Sequence, residues 1–287
     1  MRPDATSTSQ DPALGRLPDF LIIGAMKSGT STLRANLDSH PDVYCAREQH
    51  FFNLHYTKGT DWYRAKFADA GAVRLIGEKC PEYLHNPQAV ERMASLLPDA
   101  RLIALLRDPV ERAYSHYWQE RRIGKESLEF ADAVAAEPRR IAEGAVRFSY
   151  VERGRYLLQL QRICERYPRN ALLVLLFEEL REAPAQTFAT ACRFLGIDDT
   201  FVPPSVDEVR NPYRAYRPQW LFRALAKNDR WRKLPPGLAV RIQRIMTRQT
   251  SYPPMDEGLR RELVDRYRDD NRALARWLGR DLTGWSS

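Results

Sequence analysis

The sequence has few cysteines and no long hydrophobic runs, and both absences exclude classes of protein. Its 287 residues include four cysteines, and none of them forms a Cys-x-x-Cys pair. Structural zinc sites and disulfide-stapled folds need closely spaced cysteines, so reduced cysteines and no metal site are expected. The longest apolar run, Ala171 to Phe177, is too short to cross a bilayer. No integral membrane segment is therefore expected.

The first residues also lack the features of a targeting segment. Residues 1–18 have no apolar core of the kind that a signal peptide needs, and they are rich in Ser, Thr, Pro and Asp. This composition predicts a flexible leader over 1–18, followed by a single domain over 19–287. The protein is accordingly expected to be cytoplasmic.

The net charge favours an anionic ligand but does not identify one. A formal charge of +8 is compatible with an anionic small molecule, nucleic acid or an acidic surface. The sequence has no recognised motif for reading nucleic acid, and its aromatic residues are not arranged as a stacking surface. No nucleic-acid partner is therefore expected, and the oligomeric state is left open.

Short aliphatic runs alternate with helical patterns through most of the chain. Such runs are typical of strands covered on both faces, so the alternation predicts an α/β fold: a P-loop-like central, mostly parallel sheet flanked by helices, with a helical C-terminal part. The predicted strands are Phe20–Gly24, Arg74–Glu78, Arg101–Arg107 and Ala171–Phe177. The predicted helices are Thr30–Ser39, Pro87–Leu97, Pro109–Arg122 and Pro184–Leu195, with later ones around Gln219–Asn228, Gly237–Arg248 and Glu257–Trp277.

The stretch FLIIGAMKSGTSTL has the order of a phosphate-binding loop. A buried strand runs into Gly24, and Gly29 opens the following helix at the spacing of a P-loop, but the lysine, Lys27, lies inside the loop rather than after Gly29. Backbone amides at a helix start bind phosphate with the help of the helix dipole. The residues predicted to contact phosphate are Lys27, Ser28, Gly29, Thr30, Ser31 and Thr32.

A second candidate phosphate site follows a later strand. Arg107 comes at the carboxyl end of that strand, where ligands gather in open α/β sheets, and Ser115 lies about two turns into the next helix. Arginine can bind phosphate through two parallel hydrogen bonds.

A P-loop kinase is the alternative interpretation of the first loop. It would need an acidic magnesium ligand, whereas Asp108 is expected to cap a helix.

Four stretches, in this order, resemble the sulfotransferases that use 3′-phosphoadenosine 5′-phosphosulfate (PAPS). They are the loop FLIIGAMKSGTSTL, REQHFFN (Arg47 to Asn53), GEKCPEYL (Gly77 to Leu84) and LLRDPVERAYSHY. The resemblance is closest to the carbohydrate branch, which includes heparan sulfate sulfotransferases and bacterial relatives. It implies in-line transfer of a sulfuryl group from PAPS to a hydroxyl of a saccharide or glycolipid, leaving adenosine 3′,5′-bisphosphate (PAP), with no metal.

The resemblance also implies a role for individual residues. Lys27 would stabilise the charge that develops on the bridging oxygen of PAPS, and Lys79 would lie near the acceptor and the transferring group. Glu48 would be the general base, with His50 either orienting the acceptor or serving as the base itself. Arg107 and Ser115 would bind the 3′-phosphate.

A late basic loop would close over the nucleotide. Tyr213, Arg214 and Arg217 are its expected contacts, although the glycine- and lysine-rich version of this loop is missing here.

Overall fold

A computed structural model of the chain describes residues 15–204, 206, 214–216, 247–249 and 252–286. The chain divides into two compact units. The first comprises Met1–Leu106 and Leu160–Glu208, and the second comprises Arg107–Gln159 and Val209–Ser287. One domain over 19–287 stays a prediction.

The first unit is built on a five-stranded sheet in which every pair of neighbours is parallel. The strand order is β2-β3-β1-β4-β5, so β1 lies at the centre, where the order reverses. All five residues of β1 are buried, as expected for a strand covered on both faces. The predicted fold class is confirmed. The strands are β1 Phe20–Gly24, β2 Val43–Ala46, β3 Leu75–Lys79, β4 Arg101–Leu106 and β5 Leu172–Leu176.

The predicted helices that the structure describes have nearly the predicted bounds, but four further helices were not predicted: Thr60–Arg64, Phe130–Ala142, Tyr156–Cys164 and Phe177–Glu182. In the first unit, α1 and α8 pack against the sheet and against each other. The helices are α1 Thr30–Leu37, α2 Thr60–Arg64, α3 Pro87–Leu96, α4 Pro109–Arg122, α5 Phe130–Ala142, α6 Tyr156–Cys164, α7 Phe177–Glu182, α8 Pro184–Leu195 and α9 Glu257–Leu278. A π-helical turn spans Phe51–His55, and short 3-10 helices span Tyr56–Lys58, Ala65–Ala70, Val146–Phe148, Glu152–Gly154, Arg169–Ala171 and Thr283–Ser286.

The predictions missed β2 and were partly wrong near the C-terminus. β2 has only four residues and pairs with β3 in parallel, with Ala46 opposite Glu78. The helix predicted around Gln219–Asn228 lies outside the described residues. Arg248, predicted to end a helix, instead lies in a short strand β7, Thr247–Gln249, which pairs antiparallel with β6, Arg214–Tyr216.

The second unit is mainly helical, and local capping explains its clearest boundaries. Asp108 accepts hydrogen bonds from the backbone of Val110 at 2.8 Å and of Glu111 at 3.2 Å, and Pro109 begins α4. The capping role expected for Asp108 is therefore present. The core of this unit is rich in aromatic side chains, among them Tyr114, Tyr117, Phe130, Tyr150 and Tyr267.

The last residues of the predicted leader are tied to the first unit. The carbonyl of Gly15 accepts a hydrogen bond from Arg64 Nε at 3.0 Å, and Arg16 Nη1 donates to the carbonyl of Val73 at 3.2 Å. Residues 1–14 lie outside the described part of the chain. Among the helices that the structure describes, none has both the length and the apolar character needed to cross a membrane.

Candidate functional site

The loop between β1 and α1 is shaped by Gly29. This residue has a φ of 86°, in the left-handed region, and it is the N-cap of α1. A Cβ built on it would lie 3.0 Å from side-chain atoms of Leu180 and Phe177, so both the backbone conformation and the space around it favour glycine. No side chain caps α1, and its first turn, all of it described, carries no acidic residue. The positive end of the helix is thus compatible with a bound anion.

Two side chains of this loop show features typical of a binding site. Ser28 is fully buried, and its hydroxyl has no hydrogen-bond partner among the described residues. Lys27 has a φ of 73°, which is uncommon for a residue other than glycine. Thr30 and Thr32 are buried beside them. This arrangement of hydroxyls, amides and one cation fits a phosphate or phosphosulfate group.

Lys79 brings three of the sequence motifs together. It ends β3 and is only 6% exposed in its side chain, whereas Glu48 is 32% exposed. The Nζ atom of Lys79 forms an ion pair with the carboxylate of Glu48 and lies 3.2 Å from the Oγ atom of Ser31 in the phosphate loop. The sequence did not indicate that Lys79 contacts both Glu48 and Ser31.

The ion pair controls the charge state of Glu48. Burial raises the pKa of this carboxyl, but the positive charge and hydrogen bond of Lys79, together with a backbone hydrogen bond and the influence of His50, outweigh burial, so the pKa lies below its ordinary value. Glu48 is therefore ionised at neutral pH.

His50 lies beside Glu48 in the same segment. It has a φ of 53°, and its Nδ1 atom is 3.5 Å from Cys80 Sγ and 3.4 Å from Asn53 Nδ2. The ring is thus held on its Nδ1 side by residues of two motifs, REQHFFN and GEKCPEYL.

Glu78 was not among the predicted site residues, but its fully buried carboxylate is the centre of a hydrogen-bonded cluster. Its oxygens accept hydrogen bonds from the hydroxyl of Tyr63 at 2.5 Å, from the hydroxyl of Tyr83 at 2.9 Å and from the backbone N–H of Gln49 at 2.8 Å. Burial raises the pKa of Glu78 to about 7 against the effect of these bonds. A charged residue within a buried strand was the available signal, but nothing in the sequence points to Tyr63.

Arg107 and Ser115 belong to the second unit. Arg107 donates from Nη2 to the carboxylate of Glu111 at 3.3 Å, and its carbonyl accepts from the hydroxyl of Tyr156 at 2.8 Å. Ser115 is 9% exposed, on α4. Of the late-loop residues, Tyr213 and Arg217 lie outside the described residues, and Arg214 begins β6. No group of His, Cys, Asp and Glu side chains within the described ranges is suited to hold a metal.

Comparison with known proteins decides the family. A family model described as "Sulfotransferase domain" matches residues 17–229. The chain belongs to the sulfotransferase family. The resemblance inferred from the four motifs is thereby confirmed, and the kinase alternative is not favoured.

Among the relatives of this chain is human "Bifunctional heparan sulfate N-deacetylase/N-sulfotransferase 3", 30% identical over 294 residues that cover 96% of this chain and 32% of the relative. "Membrane-associated sulfotransferase kil1" of Dictyostelium discoideum is 42% identical over 106 residues, covering 35% of this chain and 22% of the relative. The chain thus spans about a third or less of the length of these curated relatives.

A solved structure supports the same fold over most of the chain. The crystal structure of a sulfotransferase from Alicyclobacillus acidocaldarius is 27% identical, with a TM-score of 0.74, and the match covers 95% of this chain and 100% of that one.

Proposed function

We propose that this sulfotransferase moves a sulfuryl group from PAPS to a hydroxyl of a saccharide or glycolipid, giving a sulfate ester and PAP. The observation that carries the proposal is the contact of Lys79 with both Glu48 and Ser31. It places a carboxylate and a cation beside the loop whose hydroxyls and amides fit a phosphosulfate. The heparan sulfate relatives support a saccharide as the acceptor.

The donor contacts are assigned to residues of the phosphate loop, to Arg107 and to Ser115. PAPS supplies the sulfuryl group, and PAP is what remains. Lys27 provides a positive charge for the bridging oxygen, which gains negative charge as the bond to sulfur breaks. Arg107 and Ser115 are assigned to the 3′-phosphate, for which Arg107 would exchange its partner Glu111. The remaining assigned contacts are Ser28, Gly29, Thr30, Ser31, Thr32, Tyr213, Arg214 and Arg217.

Glu48 is assigned as the general base. Its lowered pKa keeps it ionised, so it can accept the proton of the acceptor hydroxyl during attack on sulfur. Protonation neutralises the carboxylate and leaves the charge of Lys79 available to the oxygens of the transferring group. His50 is assigned to orient the acceptor, and it is the alternative base.

An amine is the second candidate acceptor. The relatives that match 96% of the chain carry the name N-sulfotransferase, which is a transfer to nitrogen. A carboxylate base can remove a proton from an attacking nitrogen as well as from oxygen. The two acceptors therefore share the same donor site and the same base, and they differ only in the product.

Radiolabelled PAPS tests both candidates. We would incubate the protein with a neutral oligosaccharide, an N-acetylated one, a glucosamine oligosaccharide with free amines, and a glycolipid extract, and identify the labelled product by mass spectrometry. Label on oxygen supports the proposal, and label on nitrogen supports the second candidate. Failure to use PAPS, together with magnesium-dependent phosphate transfer from ATP, would contradict both.

A further inference from the structure

Three consecutive residues at the end of β3 contact the segment that follows β2. The β2–β3 ladder ends with Ala46 opposite Glu78, and the chain then leaves the sheet. Beyond this point Glu78 binds the N–H of Gln49, Lys79 pairs with Glu48, and Cys80 lies against His50. Where the backbone pairing of β2 and β3 ends, side chains of Glu78, Lys79 and Cys80 hold the segment that carries Glu48.

Glu78 accepts a hydrogen bond directly from the backbone of that segment. Gln49 follows Glu48 directly, so fixing its N–H at 2.8 Å from Glu78 Oε1 restricts where the side chain of Glu48 can reach. The carboxylate of Glu78 is itself held by Tyr63 and Tyr83, which are both fully buried. Tyr63 also stacks on Phe51, with ring centroids 4.3 Å apart and planes at 5°. Glu78 is therefore bonded to the backbone of Gln49 and is itself held in place by two buried tyrosines.

Stability alone does not account for a carboxylate at this place. Burying a charged group is costly, and an apolar side chain of similar size in a strand interior avoids that cost. Lys79, the adjacent residue, contacts Glu48 and Ser31 rather than Glu78. What an apolar residue could not do is accept the N–H of Gln49 while also accepting two phenol hydroxyls.

We propose that Glu78 is a positioning residue, which holds Glu48 in contact with Lys79 through the backbone N–H of Gln49. Its catalytic consequence rests on the proposed function, in which Glu48 is the base. The geometric consequence does not, because the contact between Glu48 and Lys79 can be measured without any substrate.

The test is the titration of Glu48 in Glu78→Gln, followed by carboxyl-carbon NMR and assigned with Glu48→Gln. The charged groups that face Glu48 are Lys79 from β3 and His50 from its own segment. If the contact with Lys79 loosens, the pKa of Glu48 should rise by about one pH unit. Glu78 has a pKa of about 7 and is neutral in the range where Glu48 titrates, so loss of its own charge would leave the pKa of Glu48 unchanged. An unchanged or lowered pKa would therefore overturn the proposal.

Glu137→Gln is the matched control. Like Glu78, Glu137 is a buried glutamate that accepts a backbone hydrogen bond and whose pKa is raised by burial. It belongs to the second unit and accepts from Val151 N–H at 2.7 Å and Glu152 N–H at 2.8 Å. This variant should lose stability but leave the titration of Glu48 unchanged. An equal shift in both variants would mean that general destabilisation moves Glu48 and would overturn the proposal.

Tyr83→Phe provides a second route if Glu78→Gln fails to fold. It removes one hydroxyl that holds Glu78 while leaving the bond to Gln49, so a smaller shift of the pKa of Glu48 in the same direction is expected, and no shift would contradict the proposal.

Turnover measurements separate the positioning role of Glu78 from the proposed function of the protein. With an accepted saccharide, Glu78→Gln should lower kcat about 10²-fold because the base is misplaced, with PAP affinity unchanged. If Glu48 shifts as expected but no acceptor is sulfated by the wild type, the positioning role stands and the proposed function fails.

Discussion

Lys79 at the end of β3 forms an ion pair with Glu48, 31 positions earlier in the chain. The same Nζ atom lies 3.2 Å from Ser31 Oγ, in the phosphate loop. One cation is thus shared between the carboxylate assigned as the base and the loop assigned to the donor. This arrangement links the ionisation of Glu48 to the position of Lys79.

Replacing Lys79 should change the titration of Glu48. In Lys79→Met the lowering effect of the cation is lost while the effect of burial remains, so the pKa of Glu48 should rise. The acidic limb of the pH–rate profile should move to higher pH with it. Lys66→Met, a lysine of the same unit over the ring of Trp62, is the control and should leave Glu48 unchanged. The same midpoint in Lys79→Met and wild type would contradict the ion pair.

Nucleotide binding should depend on Arg107 and Ser115. PAP should raise the melting temperature without magnesium, and ATP, which lacks the 3′-phosphate, should raise it less. Arg107→Ala and Ser115→Ala should each weaken PAP binding by about 1–3 kcal/mol in calorimetric titrations. Arg121→Ala is a matched control, because Arg121 lies on α4, the helix that follows Arg107, and its side chain is 18% exposed against 15% for Arg107. Unchanged affinity in Arg107→Ala would remove this residue from the site.

The choice between Glu48 and His50 as the base can be made by comparing variants. Glu48→Gln keeps size and polarity but cannot accept a proton, so turnover should fall by roughly 10²–10⁴ with PAP affinity near normal. His50→Ala should cost less if His50 orients the acceptor. The reverse ranking, with both variants folded, would assign the base to His50.

Glu78 should make stability depend on pH. Burial raises its pKa in the folded protein from 4.5 to about 7, so the folded state binds this proton more tightly than the unfolded chain. Its favourable contribution is complete below the unfolded pKa and is lost as pH rises through about 7, a change on the order of 3 kcal/mol. Urea unfolding at about pH 5 and about pH 8 should show a smaller difference in Glu78→Gln than in wild type. Equal differences would show that Glu78 does not titrate in this range.

Gly29 should tolerate alanine less well than a glycine of similar φ in open space. Gly29→Ala and Gly144→Ala both force a left-handed residue, at φ of 86° and 83°, which costs roughly 1–2 kcal/mol. Only Gly29 also has Leu180 and Phe177 at 3.0 Å from a new Cβ, whereas nothing lies within 4 Å at Gly144. Gly29→Ala should therefore lower the free energy of unfolding more, as measured by urea denaturation. Equal losses would mean that the loop can rearrange.

Local patterns in the sequence were sufficient for much of the fold and for the phosphate loop. Buried aliphatic runs predicted β1 with its observed bounds, and the Asp108-Pro109 cap predicted the start of α4, because both depend on neighbouring residues. The four motifs identified the family. β2 was missed because a four-residue strand carries little pattern of its own and is defined by its pairing with β3.

The contacts within the candidate site were decided by the tertiary structure. Lys79 meets Ser31 across 48 positions, and Glu78 meets Tyr63 across 15 and Gln49 across 29. Such contacts depend on the order and register of parallel strands, which bring the carboxyl ends of β1, β2 and β3 to one edge of the sheet. Motif matching assigned Lys79 and Glu48 to a common site, but only the folded sheet makes them partners and places Glu78 behind them as a buried anchor.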